Sequence, residues 1–479
     1  MMPILPRREF LASVPAVLSL PAFLREGATL APNTAASVVH KSRLSHAAPR
    51  IAIIGCGGRG ADNLSDLLGA GANVVALCDV FAPARDAALA RPMSAATFSD
   101  MRELFARRTE LALDGVLVAT PDHTHAFATA LALRAGLPVY CEKPLTHPIA
   151  ESKRILELAN TARVPTQMGT QIHATENYRR VVELIRAGAI GRVTSCDCWV
   201  NKGWCCGPTG PVTAPPSGLN YDLWLGPAQN TPYVESLHPA NWRKYWAFGT
   251  GTLGDMGCHM MDLPVWALGL TRDALRTVEV HAEVERVDSV ACPEWTEASW
   301  AFSQPAKSGA AAGTASDPLI LRWFDNGRIS PTAQELGAKD KADYHGRFNM
   351  VFQGSEGFLW ANYGEHLITP SALAVAAMPK VVPIASSPGH HREWLDAITA
   401  WRRGEKTDDA PMCAFSRSTV LNEIVLSGTV AGRAGHAVTY DFTEQSFVGG
   451  DPIPSWQPQP REGWSLTNAD LDAVLNAKV

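Results

Sequence analysis

Four short stretches of this chain gather side chains that can bind or move charge. The first is Gly55-Cys56-Gly57-Gly58-Arg59-Gly60, set between the apolar run Ile51-Ala52-Ile53-Ile54 and a helical pattern. Glycine at 55 permits a tight turn, at 57 it lets backbone approach a pyrophosphate, and at 60 it allows a helix to pack closely on a strand. The helix that follows would present free N–H groups and the positive end of its dipole to phosphates, with Gly58 and Arg59 at its entrance. Asp79 closes the next strand pattern, where a carboxylate bonds the ribose hydroxyls of a dinucleotide. The cofactor expected is NAD(P), with NAD favoured over NADP. Asp79 would repel a 2′-phosphate, and Val80-Phe81 supplies no adjacent cation.

The second stretch is Thr120-Pro121-Asp122-His123-Thr124-His125, at the carboxyl edge of a further strand pattern, where open α/β sheets bind ligands. Thr120, Pro121 and His125 are candidate contacts on the nicotinamide side. Asp122 or Thr124 reads equally well as a helix cap. The third is Cys141-Glu142-Lys143-Pro144, again at a strand end. Lys143, beside Glu142 and the cofactor cleft, can hold a substrate hydroxyl and tune proton transfer; taken alone, the two also read as a surface pair before a turn. The fourth runs from Gly249 to Asp262. In a helix, Asp255 and His259 stand at i and i+4 and share one face. Taking a hydride from a carbinol carbon requires removal of the hydroxyl proton, and a histidine titrating near neutrality and oriented by a carboxylate suits that task. The same Asp255-His259-Asp262 face also fits a metal site or a satisfied core pair.

The elements that must position these groups follow from periodicity. From Arg50 the pattern alternates: strands at 51–54, 73–78, 116–119, 139–141 and 164–168, with helices at 61–68, 123–135 and 149–161. Continuous apolar strands between helices predict a doubly wound parallel sheet of the Rossmann type. Beyond about residue 170 come a helix at 176–187 and longer strands at 193–200, 277–287 and 298–302, as in an α+β domain with a large open, mainly antiparallel sheet. Helices at 391–403 and 419–432 are expected to return to the first domain, with a Pro- and Trp-rich tail wrapping the surface. The organisation predicted is 46–170 for the cofactor domain, 171–390 for a substrate and oligomerisation domain, and 391–479 for the returning helices and tail. No internal repeat is visible.

A chain of 479 residues exceeds one ordinary core, which agrees with two domains. Its formal charge of -5 gives no electrostatic case for nucleic acid or an anionic membrane. Fourteen Trp stand against eight Tyr; indole faces stack on sugar rings, although core filling explains them as well. Residues 1–45 read as a leader. Arg7-Arg8 precedes an apolar run ending at Leu24 that Pro15 and Pro21 interrupt and Arg25-Glu26 closes. The run is shorter than the roughly 20 residues of a membrane span. It reads as a twin-arginine export signal with a linker, and the alternative is a frayed amphipathic N-terminus. The expectation is a periplasmic or secreted protein without stable membrane insertion, or a cytoplasmic one if the signal reading fails. Cys56, Cys78 and Cys141 fall on or beside strand patterns, and Cys205-Cys206 has neither zinc nor ordinary disulfide spacing, so most cysteines are expected to be buried thiols.

Taken together, Gly55-x-Gly57-x-x-Gly60, Thr120 to His125, Glu142-Lys143-Pro144 and Gly254-Asp255-x-Gly257-x-His259 occur in the order found in the Gfo/Idh/MocA oxidoreductases. Gln167-Met-Gly-Thr-Gln-Ile-His173, Tyr221 to Pro227 and Asn241-Trp242-Arg243 support the resemblance, which runs from about Arg50 to Phe442 and is similar to the long, secreted branch. It implies a Rossmann domain followed by a sheet domain that often mediates homo-oligomers. It also implies Lys143, Asp255 and His259 in the catalytic positions, His259 as acid/base, no metal, and substrate contacts at Gln171, His173, Tyr178, Arg243 and Trp246. The reaction implied is hydride transfer between nicotinamide and a sugar or sugar-like polyol. Export sharpens the question, because a cofactor reduced outside the cytoplasm would not readily exchange. A tightly held NAD recycled in each turnover then favours a redox-neutral glycosidase, lyase or epimerase, or a coupled sugar oxidoreductase. The other class is a non-catalytic dinucleotide-binding sensor.

Overall fold

In a computed structural model of the chain the described residues are 48–207, 210–303, 318–336, 347–407, 411–453 and 459–477, so the leader reading lies outside them. Six strands, β1 (Arg50–Ile54), β2 (Asn73–Cys78), β3 (Ala96–Phe98), β4 (Gly115–Val118), β5 (Val139–Glu142) and β6 (Thr166–Gly169), form one sheet in the order β3-β2-β1-β4-β5-β6. Every pairing in it is parallel. The order reverses beside β1, and the crevice at that switch is where such sheets take their ligands.

The continuous apolar strands have a physical cause. Ile51 and Ile53 enter a cluster with Leu64 and Leu67 of the helix Arg59–Gly69 and with Trp394, Leu395 and Ile398 of the helix His390–Arg402. Ala52 and Ile54, pointing the other way, enter the main core with Phe127 and Leu131 of the helix Asp122–Arg134. Both faces are covered, so neither can be polar.

Nine further strands make the second sheet: β7 (Val193–Val200), β8 (Thr277–Val284), β9 (Thr296–Phe302), β10 (Leu319–Asp325), β11 (Met350–Gly354), β12 (Phe358–Ala361), β13 (His366–Thr369), β14 (Val438–Asp441) and β15 (Ser446–Phe447). Their order is β13-β12-β11-β7-β10-β9-β8-β14-β15. The β7–β10 pair is parallel, and the other pairings are antiparallel. Strand β9 alternates buried and half-buried residues, as a sheet covered on one face must. Its Trp300 packs on Gly428 and donates to the Ser427 hydroxyl at 3.0 Å, which joins the sheet to the helix Phe415–Ala434.

The segment from 391 returns to the first domain through His390–Arg402, and β14 and β15 extend the second sheet before the tail comes back over the first domain, where Trp464 meets Phe127 and Asp472 pairs with Arg134. The helix Phe415–Ala434 touches the Rossmann helix Ile149–Ala162 and the helix Gly251–Met260 alike, so it belongs to both halves. The helix Ala82–Leu89 and strand β3, absent from the sequence reading, complete the cofactor side of the sheet. All ten cysteines are free thiols, and all but Cys205 and Cys206 are buried. No helix among the described residues is long and apolar enough to cross a membrane.

Of the turn glycines, Gly60 has the least room: a Cβ there would collide with the Gly55 carbonyl. Gly69, at the far end of the same helix, has open space around it. Gly60→Ala should therefore destabilise by about 3 kcal/mol through backbone displacement. Gly69→Ala should stabilise by about 0.5 kcal/mol through helix propensity. Paired urea denaturation measures both, and equal effects at the two sites would contradict this packing.

Candidate active site

The carboxyl ends of β1, β2, β4 and β5 open on a cavity of about 810 Å³ that also receives residues from the second sheet. At one end lie Gly55, Gly57 and Gly58. Gly58 adopts φ +48° and caps the helix Arg59–Gly69 with no side-chain hydrogen bond, so the helix entrance is left to an incoming acceptor. A Cβ at Gly55 would press into the backbone of Ala119 and Thr120, whereas one at Gly57 would make only ordinary contact with Ala84 and one at Gly58 would meet open space. This cradle fits a dinucleotide pyrophosphate. Asp79 lines the same end, its carboxylate accepting the N–H of Cys56 at 2.7 Å and of Phe81 at 2.8 Å. A carboxylate has about four lone-pair sites, which leaves room for ribose hydroxyls.

One detail departs from the sequence reading. Arg85 folds back to the Asp79 carbonyl oxygen and to Ser99 Oγ, so a cation does stand near the ribose end although Val80-Phe81 supplies none.

The middle of the cavity is braced by Glu142 and His125. Glu142 Oε1 accepts Gln171 Nε2 at 2.7 Å, Asn63 Nδ2 at 2.9 Å and Arg59 Nε at 3.2 Å. The two nitrogens of His125 meet the carbonyl oxygens of Pro144 at 2.7 Å and Thr120 at 2.8 Å. Two acceptors require two donors. Burial opposes the charge, but Cys141, Asp122 and the Pro144 carbonyl outweigh it and lift this imidazole to about 9. His125 thus lines the wall, with both N–H groups engaged by backbone in tying the exits of β4 and β5 together.

At the far end is Asp255, on the helix Gly251–Met260. The helix is glycine-rich because it is squeezed: a Cβ at Gly257 would press into Val425, and one at Gly254 would clash with Thr250. Asp255 Oδ1 accepts Lys143 Nζ at 2.8 Å and Arg243 Nε at 3.2 Å; Oδ2 accepts Trp204 Nε1 at 2.7 Å and Lys202 Nζ at 2.8 Å. Burial would raise this carboxyl, but Lys143, Arg243 and Lys202 hold it well below the usual range. Burial would likewise depress the Lys143 ammonium, and Asp255 carries it above its ordinary value.

His259 shares the cavity-facing side of that helix, as the i, i+4 spacing requires. Its relation to Asp255 is not the expected one, because the carboxylate goes to the three cations. His259 Nδ1 is buried without a partner among the described residues. Burial and the neighbouring Lys143 charge lower this imidazole to about 3, well away from neutrality.

The remaining sequence candidates divide. Gln171 and Arg243 reach the cavity. His173, Tyr178 and Trp246 are absent from its wall, a correction to their expected role as substrate contacts. His173 stacks on Trp266 at 3.9 Å with Nδ1 2.9 Å from Asp262, so Asp262 is engaged there. Tyr178 is buried and donates to the His259 carbonyl at 3.0 Å. Trp246 lies under the Arg433 guanidinium at a separate small cavity. Lys202, Trp204, His238 and Tyr363 line the main cavity and escaped the sequence reading. The one local signal was Lys202 just beyond the end of β7. Among the described residues no three His, Cys, Asp or Glu side chains converge as a metal site.

Comparison with known proteins agrees with this architecture. A family model for the NAD-binding Rossmann fold of the Gfo/Idh/MocA oxidoreductases matches residues 49–170, and the model for that family's C-terminal alpha/beta domain matches residues 189–308. The chain belongs to this family of NAD-binding oxidoreductases. An inositol 2-dehydrogenase from Leifsonia xyli is 38% identical over 147 residues, covering 30% of this chain and 42% of that protein. The rhizopine catabolism protein MocA of Rhizobium meliloti is 28% identical over 133 residues, 27% of this chain and 41% of its own length. These alignments thus span less than half of the relatives. In fold, the chain is similar to the WlbA dehydrogenase of Bordetella pertussis in complex with NADH and UDP-GlcNAcA, with TM-score 0.53, 18% identity, and coverage of 81% of this chain and 98% of that one. It is also similar to the aldose-aldose oxidoreductase of Caulobacter crescentus, with TM-score 0.51, 16% identity and coverage of 82% and 99%.

His259 should stay neutral in an NMR titration down to about pH 5, because a depressed pKa keeps the base form on the acid side of neutrality. Lys202→Met removes one of the charges that lower it, so the transition should move upward. A wild-type His259 titrating at its ordinary 6.5 would contradict the site as described.

Proposed function

We propose that the chain is an NAD-dependent oxidoreductase acting on a sugar or sugar-like polyol, with Lys143 and His259 handling the proton of the carbinol group. The observation that carries this reading is the shared cavity: Lys143, Asp255 and His259 line it together with the Gly55–Gly58 turn and Asp79. When bound, the nicotinamide would supply the two-electron oxidant for a carbinol carbon. Lys143 gives two donors to Asp255, through its carbonyl at 2.9 Å and Oδ1 at 2.8 Å, and keeps one for a substrate oxygen. A cation on that oxygen favours loss of its proton. His259, neutral and in the cavity wall, is the acceptor. Asp255 keeps Lys143 charged and aimed, which leaves the imidazole as the base. The inositol 2-dehydrogenase relatives support a polyol as substrate. NAD is proposed over NADP because Asp79 lines the cavity, while Arg85 is turned to backbone and lies outside the wall.

Arg7-Arg8 before an apolar run favours a second feature, export of the folded protein to the periplasm with its cofactor captive. Internal recycling would then make the net reaction redox-neutral, as in a glycosidase, lyase or epimerase, or couple two sugars.

Mass spectrometry of the cofactor released from exhaustively desalted protein, followed by turnover assays on sugars and inositols, tests both features. Stoichiometric NAD and turnover without added cofactor would support recycling. Empty protein that makes NADH from added NAD would support a simple dehydrogenase. His259→Ala should lower turnover by about 10²–10⁴-fold while cofactor binding persists. Unchanged ligand binding with no turnover in any form would point instead to a sensor.

A further inference from the structure

The substrate end of the cavity has an excess of positive charge and of donors. Three cations, Lys143, Lys202 and Arg243, lie within 2.8 to 3.2 Å of the single carboxylate of Asp255. Four donors converge on its two oxygens, which fills the lone pairs a carboxylate offers. The other carboxylates in the wall are engaged elsewhere: Glu142 by Arg59, Asp122 by Thr250, and Asp79 at the ribose end. A neutral hydroxyl can accept from these donors, but it leaves their excess charge uncompensated. An acidic group brings acceptors and negative charge together.

The three cations are unequally placed. The Lys143 side chain is 12% exposed, against 23% for Arg243 and 41% for Lys202, so the last two stand nearer the mouth. Arg243 is held with its guanidinium 4.1 Å from the Trp242 ring centroid and 5.3 Å from that of Trp204. A planar donor fixed in this way recognises a carboxylate or phosphate better than a point charge does. The cofactor phosphates have their own seat at the Gly58 helix entrance.

We propose that the sugar taken by this site carries an acidic group, a carboxylate or a phosphate, held at the mouth by Lys202 and Arg243 while Lys143 and His259 face the reacting carbinol. This rests on the proposed oxidoreductase reading. The inner pair acts on the hydroxyl, and the outer pair selects the substrate by charge.

Calorimetric titration of the NAD-saturated protein with D-glucuronate, D-glucose 6-phosphate, D-glucose and myo-inositol tests it. At least one acidic sugar should bind about tenfold or more tightly than both neutral ones, with a preference that weakens as salt is raised. Glucuronate and glucose 6-phosphate separate carboxylate from phosphate. Lys202→Gln should abolish the preference without loss of NAD binding, and Lys202→Arg should restore it. Neutral sugars binding as well as both acidic ones, or a preference indifferent to Lys202→Gln, overturns the proposal. If glucose or inositol is oxidised and the acidic sugars do not bind, this inference fails and the oxidoreductase reading stands. If glucuronate binds and nothing is ever turned over, the reverse holds.

Discussion

A buried carboxylate surrounded by cations is costly to assemble, and the arrangement around Asp255 is what the geometry of the site depends on. Four segments meet there: the end of β5 with Lys143, the stretch after β7 with Lys202 and Trp204, the turn carrying Arg243, and the helix carrying Asp255 itself. Desolvation of each ion opposes the assembly, and mutual attraction with saturated hydrogen bonding offsets it. Removing the carboxylate would leave three like charges facing one another, a change of the kind that costs about 3–5 kcal/mol. The carboxylate keeps Lys143 protonated, and that ammonium together with burial keeps His259 neutral against the opposing pull of Asp255.

Backbone packing makes that meeting possible. The Asp255 helix approaches the helix Phe415–Ala434 closely because Gly257 faces Val425 there, while Gly428 of the longer helix lies against Trp300 and Leu253. The long helix also rests on the Rossmann helix Ile149–Ala162. Through it the nine-stranded sheet is held in register with the strand ends that carry Lys143. His125, bonded to the exits of β4 and β5, and Glu142, bonded to Arg59, Asn63 and Gln171, brace the cofactor side in the same manner.

Much of this was legible in the sequence where local physics decides. Strands covered on both faces must be apolar throughout, so β1, β2, β4 and β5 stood out. The glycine turn and Asp79 announced the cofactor end, and the i, i+4 spacing put Asp255 and His259 on one face. Spacing says which groups share a face, not which partner a carboxylate takes. Asp255 is drawn to three full charges, and a neutral imidazole cannot compete with them. Lys202, Trp204 and Tyr363 fall outside the motifs because each reaches the cavity from beyond the end of a strand in the second sheet. His173 ends a motif-bearing stretch and Tyr178 lies in the helix after it, but both point behind the wall, one to Asp262 and the other to a helix carbonyl. The charge excess around Asp255 likewise emerges only when distant segments are counted together.

The most direct test of Asp255 as organiser is a crystal structure of Asp255→Asn with NAD bound. The account predicts intact Rossmann strands and cofactor, with the Lys143, Lys202 and Arg243 side chains moved apart from the positions they hold around the carboxylate. Three cations left unmoved around a neutral amide would contradict it.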